Sequence, residues 1–410
     1  MLSVNEAENI IFNLVKPLNN QTDIETVDLF TATGRVLASP VTSQLDFPHW
    51  DNSAMDGYAV IYQDVREASE EKPAVLKIVE DIPAGYQPQS NIQSGEAARI
   101  LTGAVMPKGA DTVVMQENTR REDDKVFILK APESQEFVRH RAAYYQAGTE
   151  LLSPGIQLNA SEIAVLAAAQ CTKLKVFRRL RVAILSTGNE LITPEQTLQP
   201  GQIVDSNQYA LFSLVKQCGA QPLMLGIIKD DPEALKQAIS EAMAKADIVL
   251  SSGGVSVGDY DYVEKNLESL GGEIKVRAVA MKPGKPLTVA SFPTPNSPIY
   301  FGLPGNPVSA LVSYWRFVQP FIKKCSNIVE GWQPQFIKAQ TGDNLSSNGK
   351  RETYIWGKLN LVDGVYQFSA AAGSKSSGNL INLAQTNALA VLEVGKKSVS
   401  AGEEVKVLQV

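Results

Sequence analysis

Asp231-Pro-Glu-Ala-Leu-Lys-Gln-Ala-Ile-Ser-Glu-Ala-Met-Ala-Lys-Ala-Asp-Ile-Val-Leu-Ser-Ser-Gly-Gly254 is the stretch that decides the fold. Asp231 is a favoured N-cap and Pro232 suits the first helical position. Ala234, Leu235, Ala238, Ile239, Ala242, Met243 and Ala246 then recur at spacings of three and four, an apolar stripe along one helix face. Asp247–Leu250 reads as a buried strand, and Gly253-Gly254 ends it in a turn. Working outward, Arg181–Leu185, Leu223–Ile228 and Ile299–Gly302 read as strands. Gln208–Cys218 (stopped by Gly219), Tyr262–Leu270 and Pro307–Lys323 read as helices. Such alternation predicts a doubly wound α/β domain over residues 180–325, a parallel sheet with helices on both faces.

The flanks differ. At about 150 residues per domain, a chain of 410 residues predicts two or three domains, or four small ones. Val75–Val79, Ala98–Leu101, Thr112–Met115 and Val126–Leu129 read as strands, with turns at Asp81–Gly85 and Pro107–Asp111, so residues 46–144 are expected to form a small β domain. Residues 1–45 and 145–179, with helices after Ser3-x-x-Glu6 and over Ala160–Gln170, are expected to form a discontinuous linker and dimerisation domain around that insertion. Residues 326–410 read as a C-terminal β domain, with strands at Tyr354–Leu359, Val365–Phe368, Ala388–Leu392 and Glu404–Leu408. The first residues lack the basic and apolar pattern of a secretion signal, and the longest apolar stretch, Ile163–Ala169, is far too short to span a bilayer, which predicts a cytoplasmic protein.

Composition narrows the chemistry. A net charge of −6 argues against binding nucleic acid through bulk positive charge. The three cysteines, Cys171, Cys218 and Cys325, are far apart, and the two histidines are His49 and His140. A Cys/His zinc site, a disulfide framework and the usual nucleophile–histidine pairs are therefore not expected. A metal here is expected to be a hard cation on carboxylates, such as magnesium.

In a doubly wound sheet, ligands bind beyond the carboxyl ends of the strands. Three loops emerge there: Ser186-Thr-Gly-Asn-Glu-Leu191, Ser251-Ser-Gly-Gly-Val-Ser-Val-Gly-Asp-Tyr-Asp261 and Leu303-Pro-Gly-Asn-Pro-Val-Ser309. Gly253-Gly254 by itself fits either a phosphate cradle or a tight turn. Three such loops on one edge favour the cradle. Glu190, Asp230 and Asp261 lie just past strands, where they fit either metal ligation or helix capping. Met281-Lys-Pro-Gly-Lys-Pro286 stiffens two lysines around a turn, as a small-oxyanion site or as a solvated basic loop. Arg351 and the Ser374–Gly378 loop offer further donors. Phe47-Pro-His-Trp-Asp-Asn-Ser-Ala-Met-Asp-Gly-Tyr-Ala59 has no clear period and reads as a functional loop. Arg120-Arg121, Arg139–Arg141 and Arg178–Arg181 read as solvated basic faces.

Asp51–Ala59, Thr102-Gly103, Ser186–Gly188 with Glu190-Leu191, Ser252–Gly258 with Asp261, Lys282–Pro286, Gly302–Ser309, Ser377-Gly378 and Ala401–Glu403 resemble, in order, the molybdopterin molybdenumtransferase family. That family includes the bacterial MoeA proteins and the E domain of gephyrin. The resemblance implies a dimeric enzyme of molybdenum-cofactor synthesis. It takes adenylylated molybdopterin and molybdate, needs magnesium and releases AMP, with its site between the α/β domain of one subunit and the N-terminal β region of the other. By motif position it implies functional roles for Asp56, Thr102, Glu190, Asp230, Asp261, Pro304 and Pro307, the carboxylates Glu190, Asp230 and Asp261 holding the metal. Ser186, Thr187, Gly188, Ser252, Gly253, Gly254, Ser256, Gly258, Gly305 and Asn306 would contact the pterin substrate. Lys282, Lys285, Ser309, Arg351 and Ser377 would hold molybdate. One departure stands out: where members usually carry Arg-x-Arg-Gly-Glu-Asp, this chain reads Arg139-His-Arg-Ala-Ala-Tyr144. A catalytically weakened scaffold would fit that departure. An adenylyltransferase-like enzyme would share the Ser-Gly-Gly loop but need not keep Asp51–Ala59 or Lys282–Pro286.

Overall fold

The computed structural model describes residues 1–254, 262–293, 298–373 and 376–410. Ser256, Gly258, Asp261 and Ser374 lie outside the described residues. The chain divides into two compact units, one of residues 39–153 and 160–173, the other of residues 1–38, 154–159 and 174–410.

The larger unit contains the α/β domain. Its sheet is built from β1 (Arg181–Thr187), β2 (Gln221–Ile228), β3 (Ile248–Ser252), β4 (Glu273–Ala278), β5 (Pro286–Ser291) and β6 (Ile299–Leu303), in the order β2-β1-β3-β6-β5-β4. Between them run α1 (Asn207–Gln217), α2 (Pro232–Lys245) and α3 (Tyr262–Ser269), and α4 (Pro307–Ser313) follows β6. β2, β1, β3 and β6 are mutually parallel. The sheet is not wholly parallel as the alternation implied: β5 runs antiparallel to both β6 and β4. Only the Val279–Lys285 connection separates β4 from β5, and so short a link cannot make the crossover that a parallel pair needs.

α2 starts as its sequence dictates, with the Asp231 carboxylate accepting from the Ala234 N–H at 2.8 Å. Its Leu235, Ile239 and Ala242 pack with Ala183, Leu185, Val249 and Tyr300 in one core beside the sheet. Each Leu, Ile or Val side chain buried in this way contributes about 1.5–3 kcal/mol, and each alanine less. The expected helix Pro307–Lys323 is interrupted. Pro320 has no N–H to donate back to residue 316, and the helix opens into a π-turn over Tyr314–Val318 before resuming as Gln319–Cys325. The basic run at Arg178–Arg181 is not wholly a solvated face. Arg178 donates to Asp23 at 2.8 Å and grips both oxygens of Asp247 at 2.8 Å, tying the N-terminal segment to the approach to β3.

The C-terminal strands Phe336–Thr341, Glu352–Val362, Val365–Ala370, Ala388–Leu392 and Glu404–Gln409 close on themselves, because Glu352–Val362 pairs with both Val365–Ala370 and Ala388–Leu392. Closure leaves no open edge. Met281–Lys282, from the β4–β5 connection, adds alongside Glu352-Thr353.

In the smaller unit, a six-stranded sheet runs in the order Thr112–Met115, Gly57–Val60, Glu96–Ile100, Ala74–Ile82, Lys125–Ile128, Thr119–Glu122. The Ala74–Ile82 strand runs through Asp81 and Ile82, so the turn expected at Asp81–Gly85 begins only at Pro83. Among the described residues no helix is long and apolar enough to cross a membrane.

Candidate functional site

The ends of β1, β3 and β6 surround a cavity of about 640 Å³. Ser186, Thr187, Gly188 and Glu190 line it from β1, Ser252, Gly253 and Gly254 from β3, and Pro304, Gly305, Asn306 and Pro307 from β6, with Asp230 arriving after β2. The two glycines are required by the packing. Gly253 sits at φ +92°, and a Cβ there would lie 2.5 Å from the Thr187 carbonyl oxygen. At Gly254, with φ +68°, a Cβ would lie 2.8 Å from Thr187 Oγ1.

Asn207, which the sequence reading passed over, fastens these loops. Its Nδ2 donates to Ser252 Oγ at 2.6 Å and to the Gly305 carbonyl at 2.8 Å. The buried Asp205 fixes the start of α1 in turn, accepting from the Asn207 N–H at 3.0 Å and from Gln208 Nε2 at 2.6 Å. The signal was there: Asp205-Ser-Asn-Gln208 is an Asx-rich helix start. Ser186 Oγ, Thr187 Oγ1 and Asn207 Oδ1 are buried at this cavity without a hydrogen-bond partner. Each such atom costs about 1–3 kcal/mol, which a polar ligand entering the cavity would offset.

Magnesium fits this donor set. Among the described residues no group of three or more His, Cys, Asp or Glu side chains is placed to hold a metal. Glu190 and Asp230 line the same cavity, and Asp230 is anchored by the Asn189 N–H at 3.2 Å. Magnesium is commonly held by one or two carboxylates together with substrate phosphate oxygens and water.

A second cavity, of about 450 Å³, is lined by Lys282, Lys285, Ser309, Arg351 and Ser377. It brings together donors from the β4–β5 connection, α4 and the C-terminal domain. The Arg351 guanidinium donates to the Met281 carbonyl at 3.2 Å. Pro286, Asn306 and Ser309 line both cavities, so the two adjoin. Ammonium, guanidinium and hydroxyl donors without a carboxylate make this second cavity suited to a small oxyanion.

Gly284 controls the lysine turn. It adopts φ +101°, and a Cβ there would lie 2.7 Å from the Oγ of the buried Ser313 on α4. Gly284→Ala is expected to cost about 1–3 kcal/mol of stability in urea denaturation and to weaken oxyanion binding, because Lys282 and Lys285 move with the turn. Unchanged stability and binding would show that the turn tolerates the side chain.

Asp56 and Thr102 meet within the smaller unit. Asp56 Oδ1 accepts from the Thr102 N–H at 2.7 Å and from its hydroxyl at 2.8 Å. These two bonds, the backbone one first, hold the Asp56 carboxyl below its usual range. The interaction is therefore intact above the ordinary carboxylate range and is lost as pH falls through the lowered value. Thr102→Val removes the hydroxyl, and the Asp56 titration followed by carboxyl NMR is expected to move up; no movement would mean that the N–H alone sets it.

In the same unit, Ala142 sits at φ +63°, a conformation that glycine adopts with less strain. Tyr144 is 61% exposed, and its ring leans on Phe47 at 5.7 Å while Tyr145 stacks on Phe47 at 5.3 Å. An aromatic contact thus stands where the resemblance implied a carboxylate.

Comparison with known proteins bears on the whole chain. Residues 2–169 match the MoeA N-terminal region (domains I and II), 183–324 a probable molybdopterin binding domain, and 338–410 the MoeA C-terminal region (domain IV). A molybdopterin molybdenumtransferase of a Nostoc species is 64% identical over 409 residues, covering 100% of this chain and 94% of the relative. The chain belongs to the molybdopterin molybdenumtransferase family. Members of this family are enzymes of molybdenum-cofactor biosynthesis. A second molybdopterin molybdenumtransferase, from Haemophilus influenzae, is 32% identical over 415 residues, covering 99% of this chain and 98% of the relative. Among solved structures, the molybdopterin biosynthesis MoeA protein of Pyrococcus horikoshii superposes with a TM-score of 0.84 at 27% identity, with both chains covered in full. The order of motifs along this molybdenumtransferase chain thus coincides with one family over its whole length.

Proposed function

We propose that the chain inserts molybdate into adenylylated molybdopterin, with magnesium-dependent hydrolysis of the adenylyl link and release of AMP. The observation that carries this reading is the adjoining pair of cavities, one with loop backbones and carboxylates at the strand ends, the other with Lys282, Lys285, Ser309, Arg351 and Ser377. A substrate with a pyrophosphate link at one end and a dithiolene at the other needs both, side by side.

In this reading the Gly254 N–H and the unpartnered hydroxyls of Ser186 and Thr187 receive the phosphates, while the Gly253 N–H is held by the Leu303 carbonyl and Gly253 serves by letting the backbone approach closely. Lys282, Lys285 and Arg351 donate to the molybdate oxygens, and Ser309 and Ser377 complete the set. Glu190 and Asp230, with Asp261, would hold magnesium. When bound, magnesium neutralises phosphate charge at the link to be cleaved. Pro304 and Pro307 stiffen the loop that both cavities share at Asn306 and Ser309. The protein contributes orientation, since both reactants are held side by side.

We also propose a cytoplasmic homodimer of four-part subunits (1–45 with 145–179, 46–144, 180–325 and 326–410), in which Asp56 and Thr102 of one subunit serve the α/β domain of the other. Mixing Asp56→Ala chains with Lys282→Ala chains, at a molybdate concentration too low for either variant alone to turn over, tests it. Random pairing regenerates one intact site in half of the dimers, or about one quarter of wild-type activity. No regained activity would place both residues in a site within a single chain.

A further inference from the structure

Beneath the oxyanion cavity lies a chain of polar contacts that none of these roles uses. Arg316, on the π-turn Tyr314–Val318, is only 3% exposed. Its Nη2 pairs with Glu8 at 2.6 Å, on the N-terminal helix Val4–Asn13, and its Nε donates to the Tyr354 hydroxyl at 3.0 Å. The Tyr354 hydroxyl donates in turn to Glu352. Tyr354 is fully buried and lines the oxyanion cavity.

A buried guanidinium is a poor device for stability alone. Well-packed apolar residues in its place are often neutral or stabilising, and here Nη1 is left without a partner. What it joins is more telling. Arg316 lies on the helical run that begins with α4 and carries Ser309. Tyr354 and Glu352 lie at the start of the strand that follows Arg351, where Glu352 and Thr353 pair with Met281 and Lys282. The chain Glu8–Arg316–Tyr354–Glu352 therefore ties together the segments that present Ser309, Arg351 and Lys282.

We propose that Arg316 is a positioning residue for the oxyanion site, acting through Tyr354 to hold the Arg351 and Lys282 segments in register against Ser309. This rests on reading those three residues as molybdate donors. Groups that orient a metal's ligands set its affinity by about 10–100-fold without touching it, and a group that orients oxyanion donors acts by the same logic.

The test uses the full chain carrying Tyr354→Phe or Arg316→Lys. The first keeps the ring and removes the hydroxyl. The second keeps the charge and loses the fork that spans Glu8 and Tyr354. Molybdate affinity is read by calorimetry without pterin substrate and as the molybdate concentration giving half-maximal AMP release. The thermal midpoint is followed alongside. We expect both variants to need about tenfold more molybdate, with maximal rates within about twofold of wild type. Rescue in Tyr354→Phe, meaning wild-type molybdate dependence in a folded variant, overturns the proposal. So does a matched loss of maximal rate and thermal midpoint with affinity unchanged, the sign of a scaffold role. A wild-type chain that binds no molybdate overturns the functional reading itself and the proposal with it, and that outcome is distinguished by the wild-type control.

Discussion

Gly253→Ala is expected to leave a folded protein with at least about a hundredfold less turnover. The methyl group would meet the Thr187 carbonyl oxygen at 2.5 Å and Thr187 Oγ1 at 3.0 Å, at φ +92°. Neither neighbour is the free end of a flexible side chain, and the Gly253 N–H is itself committed to the Leu303 carbonyl at 3.2 Å. Relief therefore requires the β3 loop to move away from β1 and β6. The conformational strain is about 1–3 kcal/mol, which a domain with this core can absorb. Catalysis is less tolerant, since a misplacement of about 1 Å commonly costs about 10²-fold. Steady-state AMP release and urea denaturation measured together separate the two effects. Turnover within tenfold of wild type would remove the glycine loop from the reacting region.

The second large effect is expected at the oxyanion donors. Lys282→Ala and Arg351→Ala each remove a charge-assisted donor, with about 1.5–3 kcal/mol per bond at stake, or about 10–150-fold in molybdate affinity. The two residues reach the cavity from different domains yet meet at one strand pairing: Lys282 lies in it, Met281-Lys282 against Glu352-Thr353, and Arg351 immediately precedes it and donates to the Met281 carbonyl. Their effects are therefore expected to be less than additive in the double variant, because either loss already loosens the other. The loss should appear as a raised molybdate requirement, with binding of the pterin substrate little changed. A drop in maximal rate with an unchanged molybdate requirement would place the oxyanion elsewhere.

Much of this architecture was legible from local signals. The Asp231-Pro232 cap, the stripe from Ala234 to Ala246 and the buried run into Gly253-Gly254 each obey a rule that involves only near neighbours, and together they fixed the doubly wound domain. Donors whose chemistry is unusual in sequence, such as Lys282 and Lys285 around a Pro-Gly turn, were also visible. The antiparallel β4–β5 pair was not: neither strand is among those read from the sequence, and their direction depends on the length of a connection whose residues read as a site. Asn207 and Arg316 were missed for another reason. Each acts by bridging segments far apart in the chain, Asn207 to Gly305 and Arg316 to Glu8, and no periodicity announces a long-range hydrogen bond. The mixed fate of the Arg178–Arg181 run has the same origin, since Asp23 and Asp247 are remote from Arg178 in sequence.

The most direct measurement is AMP release by the purified chain given adenylylated molybdopterin and magnesium, with and without molybdate, alongside the molybdenum content of the pterin product. We expect molybdate to accelerate AMP release, with about one molybdenum incorporated for each AMP freed. Tight binding of adenylylated molybdopterin with no AMP released, with or without molybdate, would contradict the enzymatic account.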